Sequence, residues 1–319
     1  MTAHLYSCTL VQLGGSSGLR FNGDVTHWMN HNVHVGSLRP RPLAFLSLLV
    51  LLQLNAAAAP LFYEGFDYPE AEELGDTVTT SLRWENDKSQ FKIASGSLEY
   101  SGLKASTGNR LNVTTTTASL DSVRTTRGTW PEQTSGTLFV SFLLRLESAD
   151  GIEAAGDGTS VLTLGKTSNG SHLLGVNLLK KDGIKLGVLK YPSNTTRVSS
   201  AFFSAGPGAS LAANGSATYL VVAKYEWVEG AGNDVVTVWI NPANLGGSED
   251  PNNKVSTNAG VDGTQSVGRL TLSRGPHANI DEIRIGQTWA DVTPADAKST
   301  TAEADRSEAH PGDNPDLLL

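Results

Sequence analysis

The chain has one cysteine among its 319 residues, Cys8, and it lies ahead of everything that reads as folded protein. A disulfide framework and a thiolate metal site are therefore excluded. Charged residues are sparse at 18%, and long amphipathic helical stretches are missing. There is no HExxH pair, no nucleophile elbow, and no glycine-rich loop that follows a strand and opens a helix, so zincin, serine-hydrolase and nucleotide-phosphate signatures are absent. An excess of positive charge is lacking too, because the formal charge is −8. Setting aside Arg20, Arg39, Arg41 and Asp24, the only charges in residues 1–59, leaves 21 basic against 31 acidic residues, a balance of −10. Such an acidic surface argues against nucleic acid or anionic membrane as partner. It suits a neutral polysaccharide or a hard cation.

One hydrophobic run is present. Residues 43–54 read LAFLSLLVLLQL, with Arg39 and Arg41 before it and Ala56, Ala57, Ala58 and Ala59 after. Twelve residues fall short of the roughly 20 needed to span a bilayer. A basic start, a short apolar stretch and a small-residue exit are the three parts of a secretory signal. The signal region is assigned to residues 29–59, with the cut falling near its end. A cut before Ala59 is favoured over one before Pro60, because proline just after the cut is unfavourable. Residues 1–28 are long, histidine-containing and without periodicity, so translation is expected to start at Met29 or nearby. His4, His27, His31 and His34 then fall in a segment removed or never made.

From residue 61 onward, short runs of β-branched and aromatic residues alternate with Gly, Asn, Asp, Ser and Pro. Strands are predicted at 61–66, 91–93, 98–100, 110–113, 122–126, 138–146, 161–164, 173–179, 184–189, 219–227, 235–240, 267–272 and 280–285. This spacing indicates an all-β sandwich. Val236, Val238 and Ile240 alternate with Thr237 and Trp239, and with 219–227 they predict a hairpin. Asp182-Gly183 marks a second turn. The nearly unbroken apolar run 138–146 predicts a central strand covered on both faces. Residues 295–319 read as a solvated tail.

Four segments together resemble a group of exported bacterial proteins, as in planctomycetes and verrucomicrobia, with a concanavalin A-like, laminin-G-like lectin/glucanase domain. They are 61–68 (LFYEGFDY), 96–103 (GSLEYSGL), the 219–242 hairpin ending WINP, and 280–292 (IDEIRIGQTWADV). The resemblance covers residues 60–294. It implies a jelly-roll sandwich of two antiparallel sheets with the first and last strands close together. Many such proteins carry a C-terminal sorting signal, and residues 295–319 lack its hydrophobic helix and basic flank. In similar sandwiches an acid on the first strand and the Asp of the last meet on one sheet. The resemblance thus implies a structural calcium ion on Glu64 and Asp281, with Asp67 and Glu282 nearby. Solvent-facing acids, or ion pairs to Arg274 or Arg284, are the alternative.

Glu303-Ala-Asp-Arg-Ser-Glu308 has the E-x-D-x-x-E spacing of retaining glycosidases, but it lies in the polar tail, where no strand can aim two carboxylates at one bond. Glu226 and Asp234 are the candidates for a pair of acids on the concave sheet. His172, His277 and His310 read as isolated histidines. For sugar stacking, Trp130 in a loop and Trp239 on the opposite strand face from Val238 and Ile240 are the candidates, with core packing as the alternative for both. Asn112, Asn169, Asn194 and Asn214 begin N-x-S/T sequons. The expectation is a non-catalytic module, secreted to the extracellular space, periplasm or cell surface, that binds a glycan or mediates surface or matrix contact. A polysaccharide hydrolase or lyase of the same fold, and a structural envelope or matrix protein, are the alternatives.

Overall fold

The computed structural model describes residues 59–74, 84–85, 90–114, 122–125, 130–166, 171–192, 199–273 and 275–296. The chain divides into two units, Met1–Leu54 and Asn55–Leu319, and every described residue belongs to the second. The expected signal core at 43–54 and the Glu303–Glu308 motif lie outside the described residues. Among the described residues no helix is long and apolar enough to cross a membrane.

The described chain forms an all-β jelly-roll sandwich of two antiparallel sheets. In chain order the strands are β1 (Phe62–Glu64), β2 (Trp84–Glu85), β3 (Phe91–Ala94), β4 (Arg110–Val113), β5 (Ser122–Thr125), β6 (Thr137–Leu146), β7 (Thr159–Gly165) and β8 (His172–Lys180). They continue with β9 (Ile184–Lys190), β10 (Ser199–Phe202), β11 (Tyr219–Glu226), β12 (Val235–Ile240), β13 (Lys254–Thr257), β14 (Arg269–Ser273) and β15 (Ala278–Gly286), then the short helix α1 (Trp289–Val292). The larger sheet runs β13-β12-β11-β6-β15-β4-β3, with β1 also on β15. The smaller runs β10-β9-β8-β7-β14-β5-β2.

Strand alternation builds the core between the sheets. From β6 it takes Leu138, Val140, Phe142, Leu144 and Leu146, and from the facing sheet Leu164, Leu174, Val176, Leu186, Val188 and Leu270. The other face of β6 explains its unbroken apolar run. Phe139 and Leu143 point outward into a second cluster with Leu98, Leu103, Leu220, Val222, Trp239, Trp289 and Val292. Ser141, on that same face, donates to the carbonyl of Val292 at 2.6 Å. The large sheet is thus buried on both sides where segment 95–108, loop 241–252 and α1 cover it.

Residues 98–100, expected as a strand, form part of this cover instead. Their apolar members Leu98 and Tyr100 pack down on the sheet without joining its ladder. Three strands have too little apolar patterning to be predicted: β2 is two residues long, and β10 and β13 are half-exposed edges. Short polar edge strands also discourage pairing with a second chain. Both predicted turns form. Lys180 pairs with Ile184 across a three-residue loop in which Asp182 and Gly183 take positive φ. β11 and β12 pair from Val221–Ile240 to Glu226–Val235.

One end of the sandwich is closed by a buried polar network. Lys190 is wholly buried, and its Nζ meets Asp262 Oδ1 at 2.6 Å and the Asp234 carbonyl at 2.9 Å. Asp234 in turn accepts from the Tyr225 hydroxyl at 2.6 Å and Val228 N at 2.8 Å. Burial first, then the bond to Asp234, pushes the Tyr225 hydroxyl far above its ordinary range.

Candidate functional site

Strand β1 alternates cleanly, with Phe62 and Glu64 turned inward and Tyr63 outward. It lies antiparallel to β15 so that Tyr63 is paired with Arg284. Side chains directly opposite in such a pair are in reach of one another. The Arg284 guanidinium lies over the Tyr63 ring, 5.0 Å from its centroid. Tyr63 is 42% exposed, and it is the one aromatic among the large exposed apolar side chains of the described residues.

The ring is held rather than loose. Its hydroxyl donates to Glu282 Oε1 at 2.8 Å and lies 3.0 Å from Thr107 Oγ1. A side chain on Gly65 would collide with that hydroxyl, since a Cβ there would sit 2.6 Å from it. Burial pushes the phenol up to about 12, and the neighbouring Glu282 charge adds to this, against the Thr107 hydrogen bond, which lowers it. It therefore stays protonated at neutral pH.

A β-bulge in β15 makes this arrangement possible. The register against β6 shifts between Asp281 and Arg284, where Glu282 takes φ +54°. An extra residue at a bulge re-aims its side chains. Asp281 accepts from Leu98 N at 2.7 Å and Glu282 N at 2.8 Å. Glu282 accepts from Thr107 N at 3.1 Å as well as from Tyr63, and it pairs with Arg284. The two acids clamp both ends of segment 98–107 onto the sheet. Burial pushes the Asp281 carboxyl up to about 8, against the Leu98 and Glu282 N–H donors.

Between this clamp and α1 lies a cavity of about 470 Å³ lined by Tyr63, Lys104, Thr107, Arg284 and Asp291. That is within the size range of small-molecule sites. Asp291 enters through a capping box at α1. Its Oδ2 accepts from Thr288 N at 2.9 Å, while Thr288 Oγ1 accepts from Asp291 N at 3.3 Å. Gly286 is required here, because a Cβ would fall 2.3 Å from that of Asp291.

The predicted calcium ligands share one sheet but face opposite ways. Glu64 turns into the space between the sheets, where it accepts from Phe66 N (2.7 Å), the Tyr68 hydroxyl (2.7 Å) and Trp84 Nε1 (3.2 Å). Its burial pushes its pKa up, despite these donors. Asp281 turns to the outer face. Calcium takes six to eight oxygens converging on one point, and these carboxylates diverge and are filled by N–H and O–H donors, so the pair does not fit the ion. Among the described residues no three His, Cys, Asp or Glu side chains gather as a metal site.

Both candidate tryptophans are covered. Trp130 is 3% exposed and packs on Phe62, ring centroids 5.2 Å apart. Trp239 does lie on the face opposite Val238 and Ile240, yet it is wholly buried. Trp289 lies edge-on at 5.1 Å, Lys224 and Lys254 sit over the ring, and Nε1 donates to the Asp250 carbonyl at 2.7 Å. Core packing is the outcome for both. Glu226 pairs with Lys224 at 3.2 Å, and Asp234 belongs to the closing network, so these acids have separate partners. The aromatic that meets solvent, Tyr63, was missed. Its signal was the alternation of Phe62, Tyr63 and Glu64 in a strand already expected to lie close to the last one.

No family model matches the sequence, and no curated protein matches it. Solved structures similar to it include alginate lyase Aly36B, at 13% identity over 72% of this chain and 98% of that one, with a TM-score of 0.42. The metal-free carbohydrate recognition domain of Emp46p is 9% identical over 70% of this chain and 99% of its own, with a TM-score of 0.33. Peanut lectin bound to a nine-residue peptide is 9% identical over 70% and 96%, with a TM-score of 0.32. No residue role transfers at these values.

Proposed function

We propose that this is an exported module that binds an extracellular glycan, without turning it over, in the cavity under Tyr63. The observation that carries the reading is the Tyr63 ring itself: exposed at a cavity wall, backed by Arg284, and fixed through its hydroxyl. A rigid aromatic face beside hydrogen-bonding side chains suits a sugar ring, which has an apolar C–H face and a hydroxyl rim. Lys104 and Thr107 are placed to meet the rim. Hydrolysis by the usual route needs two carboxylates across the scissile bond. Asp291 is the one acid among the described residues lining the cavity, and the nearby Glu282 is committed to Tyr63, Thr107 and Arg284.

The test is a glycan array combined with reducing-sugar and unsaturated-sugar assays on the parent, Tyr63→Ala and Tyr63→Phe. Binding without turnover is expected, with affinity falling about tenfold in Tyr63→Ala, the worth of one good stacking contact. Tyr63→Phe keeps the ring and is expected to lose less. Turnover would support a lyase or hydrolase instead. Absence of any bound glycan, or binding indifferent to Tyr63→Ala, would leave a structural envelope role.

A further inference from the structure

Asp291 is 6% exposed, and its two carboxylate oxygens are used unequally. Oδ2 accepts from Gln287 N at 3.1 Å and Thr288 N at 2.9 Å. Oδ1 is buried and accepts nothing among the described residues. A buried carboxylate oxygen with no donor is unfavourable, because it has given up water without replacement. The cavity that Asp291 lines is also lined by Ala59 and Pro60.

Ala59 is the residue before which the export signal is expected to be cut. In the uncut chain its nitrogen is an amide with one N–H. Hydrolysis of the Ala58–Ala59 peptide bond by a signal peptidase consumes one water. It leaves a carboxylate on Ala58 and an amine on Ala59, which takes up a proton at neutral pH. The new end carries three N–H donors and a positive charge. Pro60 fixes its own φ and holds Ala59 in extended conformation, so the ammonium sits on a short, stiff stem.

We infer that the α-ammonium of the processed chain docks on Asp291 Oδ1, so that cleavage fastens the start of β1 to the turn after β15. The other charged or titratable groups on the cavity are Lys104, Arg284 and Tyr63. Arg284 is paired with Glu282, and Tyr63 is bonded to Glu282. Lys104 is exposed, and its backbone is tied to Pro294 just past α1, so it is the cation whose removal serves as the control. The inference rests on the export reading; it places the chain's own end at the wall of the cavity proposed for the glycan, and its test reads melting and acylation, not glycan binding.

The full chain is expressed in an exporting host and its product sequenced from the N-terminus, with Ala59 expected first. A second version carries Gly-Ser inserted between Ala58 and Ala59, its mature end checked in the same way. At neutral pH the parent is expected to melt about 3 °C above the extended form, the effect of one modest ion pair in a domain of this size. The gap closes in Asp291→Asn, survives in Lys104→Met, and closes near pH 10, where the amine is neutral. As a check that does not depend on a variant folding, the parent's α-amine is expected to acylate about tenfold more slowly than that of a free Ala-Pro peptide, as fits a group held in an ion pair. A mature end other than Ala59, no melting gap, a gap that persists in Asp291→Asn or vanishes in Lys104→Met, or an α-amine as reactive as the peptide's overturns the inference.

Discussion

Asp281→Asn should reverse its effect on stability as pH rises. In the folded chain burial holds the Asp281 carboxyl at about 8, against 3.8 in the unfolded chain. A raised folded pKa means that the native state binds the proton more tightly. Its contribution is fully present below the unfolded pKa and is lost as pH climbs through the folded one. At ~1.4 kcal/mol per pH unit, the interval from 3.8 to about 8 is worth on the order of 6 kcal/mol to the parent. Asparagine is neutral throughout and carries no such slope. It keeps one carbonyl oxygen for the two N–H donors of Leu98 and Glu282, so it forfeits one bond at a fixed cost of about 1–3 kcal/mol. The variant should therefore be the weaker protein near pH 4 and the stronger one near pH 8.5. Urea unfolding followed by tryptophan fluorescence across this range gives both curves. Glu64, also pushed up by burial, contributes a slope of the same sign to both proteins, so the difference between them isolates Asp281. Two curves that stay parallel would show that the Leu98 and Glu282 amides keep Asp281 ionised and that the burial argument is wrong.

Three further outcomes are expected. Trp239→Ala should cost about 3–5 kcal/mol by chemical denaturation, because it opens a cavity under loop 241–252. Glycan affinity in that variant should be unchanged where the protein is still folded. Lys190→Met should cost about 1–3 kcal/mol by chemical denaturation, because the Asp234 carbonyl loses its donor while Asp262 keeps the N–H groups of Gly232, Asn233 and Asp234. Adding millimolar calcium, or chelating it, should leave the melting temperature unchanged, since Glu64 and Asp281 face apart; a clear upward shift with calcium would contradict the geometry.

Much of the fold was legible where local pattern and tertiary burial agree. The 235–240 strand announces itself through alternation, and the 138–146 strand through its lack of it, which correctly implies cover on both faces. What sequence could not supply was the identity of the cover. Trp239 was placed on the right face, but nothing in VVTVWI says that loop 241–252 and Trp289 close over it. Likewise Glu64 and Asp281 were rightly put on one sheet, while their faces depend on strand phase and on a bulge at Glu282 that no local propensity encodes. The α1 cap was readable as Thr288-Trp-Ala-Asp291, a capping box in miniature. Tyr63 needed only the parity of a three-residue strand.

The position of β15 sets the order in which this molecule can come into being. It is the last strand among the described residues, yet it occupies the middle of the large sheet, between β6 on one edge and β4 and β1 on the other. Until residue 286 is available, β3 and β4 are joined to the rest of that sheet by nothing but the chain itself. A ribosome that has delivered nine-tenths of the folded region has therefore delivered two halves without their keystone. A C-terminal truncation ahead of residue 278 should yield an open, aggregation-prone chain instead of a smaller sandwich. Such a chain also stays open and unpaired along that seam until β15 has been made.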